Sequence, residues 1–203
     1  MTEDDRAAAK RRAGSHAAES VPDGSVVGLG TGSTAAHAIE ALGERVAAGL
    51  EIEGIPTSFQ SRARALEAGI PLTSLDAVET VDIAIDGADE VAQGDLVKGG
   101  GAAHAREKIV DAAADRFLVV VDPSKEAGVL SHPVPVEVLP AARPTATAAI
   151  RELRGVPTLR QGSGKDGPVI TDNGNVVLDA DFGEIDGPGE LGRALASIPG
   201  VVE

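Results

Sequence analysis

The sequence contains no cysteine, no tryptophan and no tyrosine. Without cysteine there is no disulfide scaffold, no thiolate nucleophile and no thiolate metal site. Aromatic side chains are reduced to Phe59, Phe117 and Phe182, and lysine to residues 10, 98, 108, 125 and 165 beside 13 arginines. Long apolar runs are missing as well. The longest clean one, Phe117 to Val121, is far short of a membrane span, so no membrane partner is expected. The N-terminal Met-Thr-Glu-Asp-Asp is acidic and lacks the basic-then-apolar plan of a signal peptide, which makes a cytoplasmic protein the expectation. Positive charge is also scarce: 18 Lys and Arg stand against 32 Asp and Glu, a net −14 at pH 7. Phosphate-backbone binding runs on clustered Lys and Arg, so no nucleic-acid partner is expected either.

The 203 residues, 42% of them hydrophobic, suffice for a large domain plus a small one, and the periodic apolar runs argue against disorder. The acid-rich, lysine-poor, small-residue-rich composition fits a protein that stays soluble in concentrated salt. Where lysine is this scarce, a lysine beside a glycine cluster stands out from surface filler.

Residues 3–19 read as a polar helix capped by Thr2, with Glu3, Asp4 and Asp5 at its positive end. A strand at 25–29 and a glycine-rich loop at 30–34 lead into a helix at 35–48, with Ile39, Leu42 and Val46 at helical spacing. A strand at 50–55, a helix at 59–68, an extended piece at 70–75 and a strand at 81–85 follow. A helix at 102–114 and a strand at 117–121 complete the series. Alternating helices and apolar, β-branched strands predict a parallel sheet covered on both faces. The pattern changes near residue 130, at His132-Pro133-Val134-Pro135. Strands at 136–139 and 157–160, a helix at 143–153 and a last helix at 189–198 are expected beyond it. Asp172-Asn173-Gly174-Asn175 lies between the apolar runs 169–171 and 176–178 and predicts a hairpin. The expectation is an α/β domain over 1–130 and a smaller α+β domain over 131–203.

Four segments carry residues able to do chemistry. Gly28-Leu29-Gly30-Thr31-Gly32-Ser33-Thr34 joins a strand to a helix, where backbone N–H groups and the helix N-terminus attract an anion. Ser33 stands where the dinucleotide fingerprint needs its third glycine, and no Gly-Lys pair precedes Ser or Thr. A small phosphate is therefore expected in preference to a nucleotide, with a plain capped turn as the alternative. Asp86-Gly87-Ala88-Asp89-Glu90 falls at a strand's carboxyl end, where open α/β sheets bind ligands. Its carboxylates suit Mg²⁺ coordination, acid–base work or hydroxyl binding, and a solvated acidic turn is the alternative. Lys98-Gly99-Gly100-Gly101 presents a cation on a backbone built for close approach, ahead of a helix carrying Glu107, although a flexible linker would share the composition. Asp122-Pro123-Ser124-Lys125 follows another strand. His16, His37, His104 and His132 show no metal-ligand spacing, and no zinc site is expected.

In this order the segments resemble the A-type ribose-5-phosphate isomerases. The resemblance is carried by Gly-Thr-Gly-Ser-Thr-Ala-Ala-His at 30–37, Asp-Gly-Ala-Asp-Glu at 86–90, and Lys-Gly-Gly-Gly-Ala-Ala at 98–103 with Arg-Glu-Lys-Ile at 106–109. It continues in Pro-Val-Glu-Val at 135–138, Thr-Asp-Asn-Gly-Asn-Val at 171–176 and Ile-Pro-Gly-Val-Val at 198–202. It implies interconversion of D-ribose 5-phosphate and D-ribulose 5-phosphate, in the non-oxidative branch of the pentose phosphate pathway, without metal or organic cofactor. By the family pattern Glu107 is the base, and the needs of such a reaction add Lys98, as the cation for the developing oxyanion, and Asp86 and Asp89, for sugar hydroxyls and proton shuttling in ring opening, as catalytic. Substrate binding falls to Thr31, Gly32, Ser33, Thr34, Asp86, Gly87, Ala88, Asp89, Lys98, Gly99, Gly100, Gly101 and Lys125. Lys10, Arg11 and Arg12 are the candidates for an N-terminal phosphate contact. The implied fold is a Rossmann-like domain with a ferredoxin-like small domain, in a homodimer or homotetramer. A family segment returning to the large domain after residue 202 is expected to be absent. The competing readings are a sugar-phosphate sensor, a related sugar-phosphate deaminase or lactonase, and a nucleotide-binding oxidoreductase.

Overall fold

The computed structural model describes residues 1–164 and 166–203. The chain divides into two compact units, one of Met1–Gly87 with Arg106–Lys125 and one of Ala88–Ala105 with Glu126–Glu203.

The first unit is built on a parallel sheet of β1 (Ser25–Leu29), β2 (Ile52–Pro56), β3 (Val81–Asp86) and β6 (Ala114–Val119), in the order β2-β1-β3-β6. Its core gathers Val27, Leu29, Ile83 and Ile85 from the strands with Ile39 and Leu42 of α2 (Ser33–Ala47). Helix α1 (Glu3–Glu19) has few apolar side chains to bury. It is held at its start by a capping box, in which Thr2 Oγ1 accepts from Asp5 N and Asp5 Oδ2 accepts from Thr2 N. Its far end is held by Arg45, whose guanidinium donates to the carbonyls of Ala18 and Val21. Small residues let it lie close to α2: a Cβ on Gly14 would stand 2.7 Å from Ala38 N. On the other side of the sheet, Gly28 and Ala84 make room for Val110 of α4 (His104–Ala113).

Two of the boundaries that differ from the sequence pattern have a visible cause. Helix α2 starts at Ser33 rather than residue 35, because Gly32 at φ +114° turns the chain straight into the helix. Strand β6 starts at Ala114 rather than residue 117, since pairing of Val81 with Ala114 and Ile85 with Leu118 sets its register, not its local apolarity.

In the second unit β7 (Val134–Val138), β8 (Val156–Leu159) and β9 (Val176–Asp181) form an antiparallel sheet in the order β7-β9-β8. Val136, Val138 and Leu178 pack with Ile150 of α5 (Arg143–Glu152) and Leu195 of α6 (Pro188–Ala196). The Asn-Gly turn is present, with Gly174 at φ +83°, but residues 169–171 contribute only the bridge Ile170–Val176 rather than a paired strand. The polar side chains of that segment turn inward instead. Thr171 Oγ1, Asn173 Nδ2 and Asn175 Nδ2 donate to Glu137 Oε1 at 2.8, 3.1 and 2.7 Å, so one oxygen of a fully buried carboxylate takes three hydrogen bonds. A small hairpin, β4 (Glu90–Ala92) and β5 (Asp95–Val97), precedes the glycine-rich loop. Its turn residues Gln93 and Gly94 lie at φ +52° and +96°.

Candidate active site

All strands of the first unit's sheet are parallel, so their carboxyl ends share one edge. The loops after β1, β2, β3 and β6 gather there, at the ligand-binding edge of open α/β sheets. Asp86, at the end of β3, is fully buried and ties this edge together. Its Oδ1 accepts from Thr31 N at 2.9 Å and from Gly87 N at 2.7 Å. Gly30 is the residue that lets the carboxylate in, because a Cβ there would stand 2.1 Å from Asp86 Oδ1. The β2 loop supplies hydroxyls: Thr31 Oγ1 lies 3.0 Å from Thr57 Oγ1 and donates to Ser58 Oγ at 2.7 Å. Gln60, in α3 (Phe59–Glu67), accepts from Gly32 N through Oε1 at 3.1 Å. The result is a braced loop feeding the N-terminus of α2, with Ser33 in its first turn and Thr34 buried. Such a terminus favours an anion.

Cationic charge reaches the same loop from α1, where Lys10 Nζ donates to Ser33 Oγ at 2.9 Å. This separates Lys10 from Arg11 and Arg12. The field of Lys10, with that of Arg6 one turn earlier, also reaches Asp122. Burial raises the Asp122 carboxyl, but hydrogen bonds from the Ser124 hydroxyl and amide and those two cations outweigh it and hold the group below the usual carboxylate range. Lys125 closes a short 3-10 turn, its N–H bonded to Asp122 O at 3.0 Å. Glu107, in the first turn of α4, is 3% exposed.

The remaining predicted residues lie in the second unit. Asp89 N donates to Val97 O, and Asp89 Oδ2 accepts from Gly100 N at 2.7 Å. Gly100 has no room for a side chain, since a Cβ would stand 2.2 Å from Asp89 Oδ1. Gly99, at φ +108°, lies against the His104 ring and Pro135. Arg160 donates from Nη1 to the carbonyls of Gly99 at 2.9 Å and Gly100 at 3.1 Å. Lys98 is half-buried at the start of this loop. His104 is 4% exposed, and burial pushes its imidazole below the ordinary range against the pull of the Glu137 and Glu203 carboxylates.

The structure thus brings Thr31, Ser33, Asp86 and Gly87 together in one unit, and Asp89 with Gly99 and Gly100 in the other. Sequence reasoning missed Thr57, Ser58 and Gln60, which belong to no glycine or acidic cluster, and Arg160, which looked like the end of a strand. No group of three or more His, Asp or Glu side chains placed to hold a metal ion is found among the described residues. No helix is long and apolar enough to cross a membrane among the described residues.

A family model described as Ribose 5-phosphate isomerase A (phosphoriboisomerase A) matches residues 53–203. The chain is 67% identical over 196 residues to the Ribose-5-phosphate isomerase A of Haloarcula marismortui, covering 97% of this chain and 86% of that protein. Among solved structures, ribose 5-phosphate isomerase A from Methanocaldococcus jannaschii superposes with a TM-score of 0.93 at 47% identity, over 97% of this chain and 88% of that one. A D-ribose-5-phosphate isomerase in complex with phospho-erythronic acid gives 0.94 at 44% identity, over the same 97% and 88%.

Proposed function

Because the chain belongs to the ribose-5-phosphate isomerase A family, we propose that it interconverts D-ribose 5-phosphate and D-ribulose 5-phosphate through an enediolate. The observation that carries the reading is Asp86, a buried carboxylate that organises an anion-attracting loop at the carboxyl edge of the sheet. The phosphate binds at residues 31–34, held by loop amides, the Ser33 and Thr34 hydroxyls and the α2 N-terminus, with Lys10 as the nearby cation. Lys125 contributes further positive charge. A solved relative binds phospho-erythronic acid, a phosphorylated sugar acid, in keeping with a phosphosugar at this site.

In the open-chain aldose Glu107 takes the proton from C2 and returns it to C1. A positioned base of this kind contributes about 10²–10⁴-fold to the rate. The electron pair left on carbon moves into the carbonyl, the negative charge that develops on O1 is met by the Lys98 ammonium, and the O2 hydroxyl proton passes to O1 as C1 is protonated. Asp86 and Asp89 hold the loops and accept from sugar hydroxyls, with Gly87, Ala88 and the amides of Gly99, Gly100 and Gly101 lining the sugar. The chemistry needs no metal, and the working assembly is a homodimer or homotetramer. The reaction belongs to the non-oxidative branch of the pentose phosphate pathway. Incubation of the purified protein with ribose 5-phosphate and a chelator is expected to yield ribulose 5-phosphate. Failure to form it, with the protein folded, contradicts the reading.

A further inference from the structure

Lys98-Gly99-Gly100-Gly101 is the most glycine-dense stretch of the chain, and glycine backbone does not hold a shape unaided. The second unit supplies that shape from outside the loop. Arg160, just past the end of β8, donates through Nη1 to both Gly99 O and Gly100 O. Asp179 on β9 fixes the guanidinium: Nε donates to Asp179 Oδ2 at 2.9 Å and to Oδ1 at 3.2 Å, and Nη2 also donates to Oδ1. Arg160 and Asp179 therefore form a forked pair, with a further N–H of the guanidinium left to reach the loop. On the opposite side, Asp89 Oδ2 takes the Gly100 N–H. The Gly99–Gly100 peptide is thus gripped at its C=O by Arg160 and at its N–H by Asp89.

Peptide planarity extends the argument by one residue. In a trans peptide the N–H points opposite to the C=O. No peptide bond is cis among the described residues. With Gly100 O turned to Arg160, the Gly101 N–H points away from Arg160, to the side on which Asp89 lies. We propose that Arg160, anchored by Asp179, is a positioning residue for the isomerase site. It sets the orientation of the Gly99–Gly101 amides and with them the placement of Lys98. This rests on the reading that Lys98 and the following glycines face the substrate. Arg160 acts through the loop.

The test uses Arg160→Lys, which keeps the charge but loses the fork, and Asp179→Asn, which keeps the shape but loses the anchor. For both, kcat and KM for ribose 5-phosphate are measured with competitive inhibition by inorganic phosphate and amide hydrogen exchange over residues 98–103. A misplaced reacting group costs up to about a hundredfold, so a fall in kcat of about tenfold or more is expected for Arg160→Lys. The phosphate inhibition constant should stay within about threefold of wild type, and exchange at 98–103 should quicken without a matching rise elsewhere. The Arg160→Lys/Asp179→Asn double variant should be little worse than Arg160→Lys alone, because both act through one contact. Wild-type kcat and unchanged exchange in both single variants overturn the proposal. So does a fall in kcat accompanied by an equal loss of phosphate inhibition or by faster exchange throughout the chain, which marks general damage. Glu107→Gln run in parallel separates the two readings. If it stays active, the base assignment fails on its own; if it is inactive while Arg160→Lys is unimpaired, the positioning role alone fails.

Discussion

A methyl group on Gly30 would stand 2.1 Å from Asp86 Oδ1 and 2.6 Å from Asp86 Cα, closer than any relaxed contact. Gly30→Ala is therefore expected to push Asp86 off the Thr31 amide. Activity should fall about 10²-fold or more, with a smaller loss of thermal stability. An alanine variant with wild-type kinetics would show that the Asp86–Thr31 link does not shape the site. His104 makes a different kind of prediction. Burial holds its imidazole below the ordinary value, so on acidification the unfolded chain takes up a proton that the folded chain refuses. Its contribution to stability is complete above the ordinary imidazole pKa of about 6.5 and is lost as pH falls through that value toward the depressed one. Urea unfolding at about pH 7.5 and about pH 5.5 should show a smaller acid loss for His104→Leu than for wild type. Equal losses would remove His104 from the account.

The elements were legible where their signals were local. Thr2 with Asp5 marked the start of α1, and the apolar spacing of Ile39 and Leu42 marked α2. Strand β3 was legible as a buried β-branched run ending at Asp86. What escaped was set by tertiary contact. The β4–β5 hairpin turns at Gln93-Gly94 without an Asn-Gly or Asp-Gly signal, and its strands are too short to show alternation. The 171–175 segment has the hairpin signal but spends its side chains on Glu137, a choice visible only once the carboxylate is buried. Likewise Lys98 and Gly99 could be picked out by residue type, whereas the role of Arg160 depends on 60 or more residues of sequence separation. The pairing of α1 with α2 yields a test at this scale. Gly14→Ala would place a Cβ 2.7 Å from Ala38 N and 2.8 Å from His37 Cβ, against backbone that cannot yield cheaply. Destabilisation by about 1–3 kcal/mol is expected in chemical denaturation, although alanine is the better helix former. A neutral or stabilising effect would contradict the close crossing of the two helices.

For the whole molecule the dominant long-range term is its own charge. A net −14 on 203 residues repels itself, and screening relieves that repulsion. The Debye length falls from about 10 Å at 0.1 M salt to about 3 Å at 1 M, so the melting temperature should rise with KCl into the molar range. A protein most stable in dilute buffer would refute the salt-adapted reading of its composition. The wider claim is that the chain isomerises its substrate by one proton transfer, with Glu107 as the base. Its most direct test is to follow ribose 5-phosphate by NMR in D2O with wild type and Glu107→Gln. Wild type should form ribulose 5-phosphate with solvent deuterium entering at the carbon that receives the proton. The variant should still be inhibited by inorganic phosphate yet turn over about 10²–10⁴-fold more slowly. A Glu107→Gln protein that isomerises and exchanges at the wild-type rate would contradict the account.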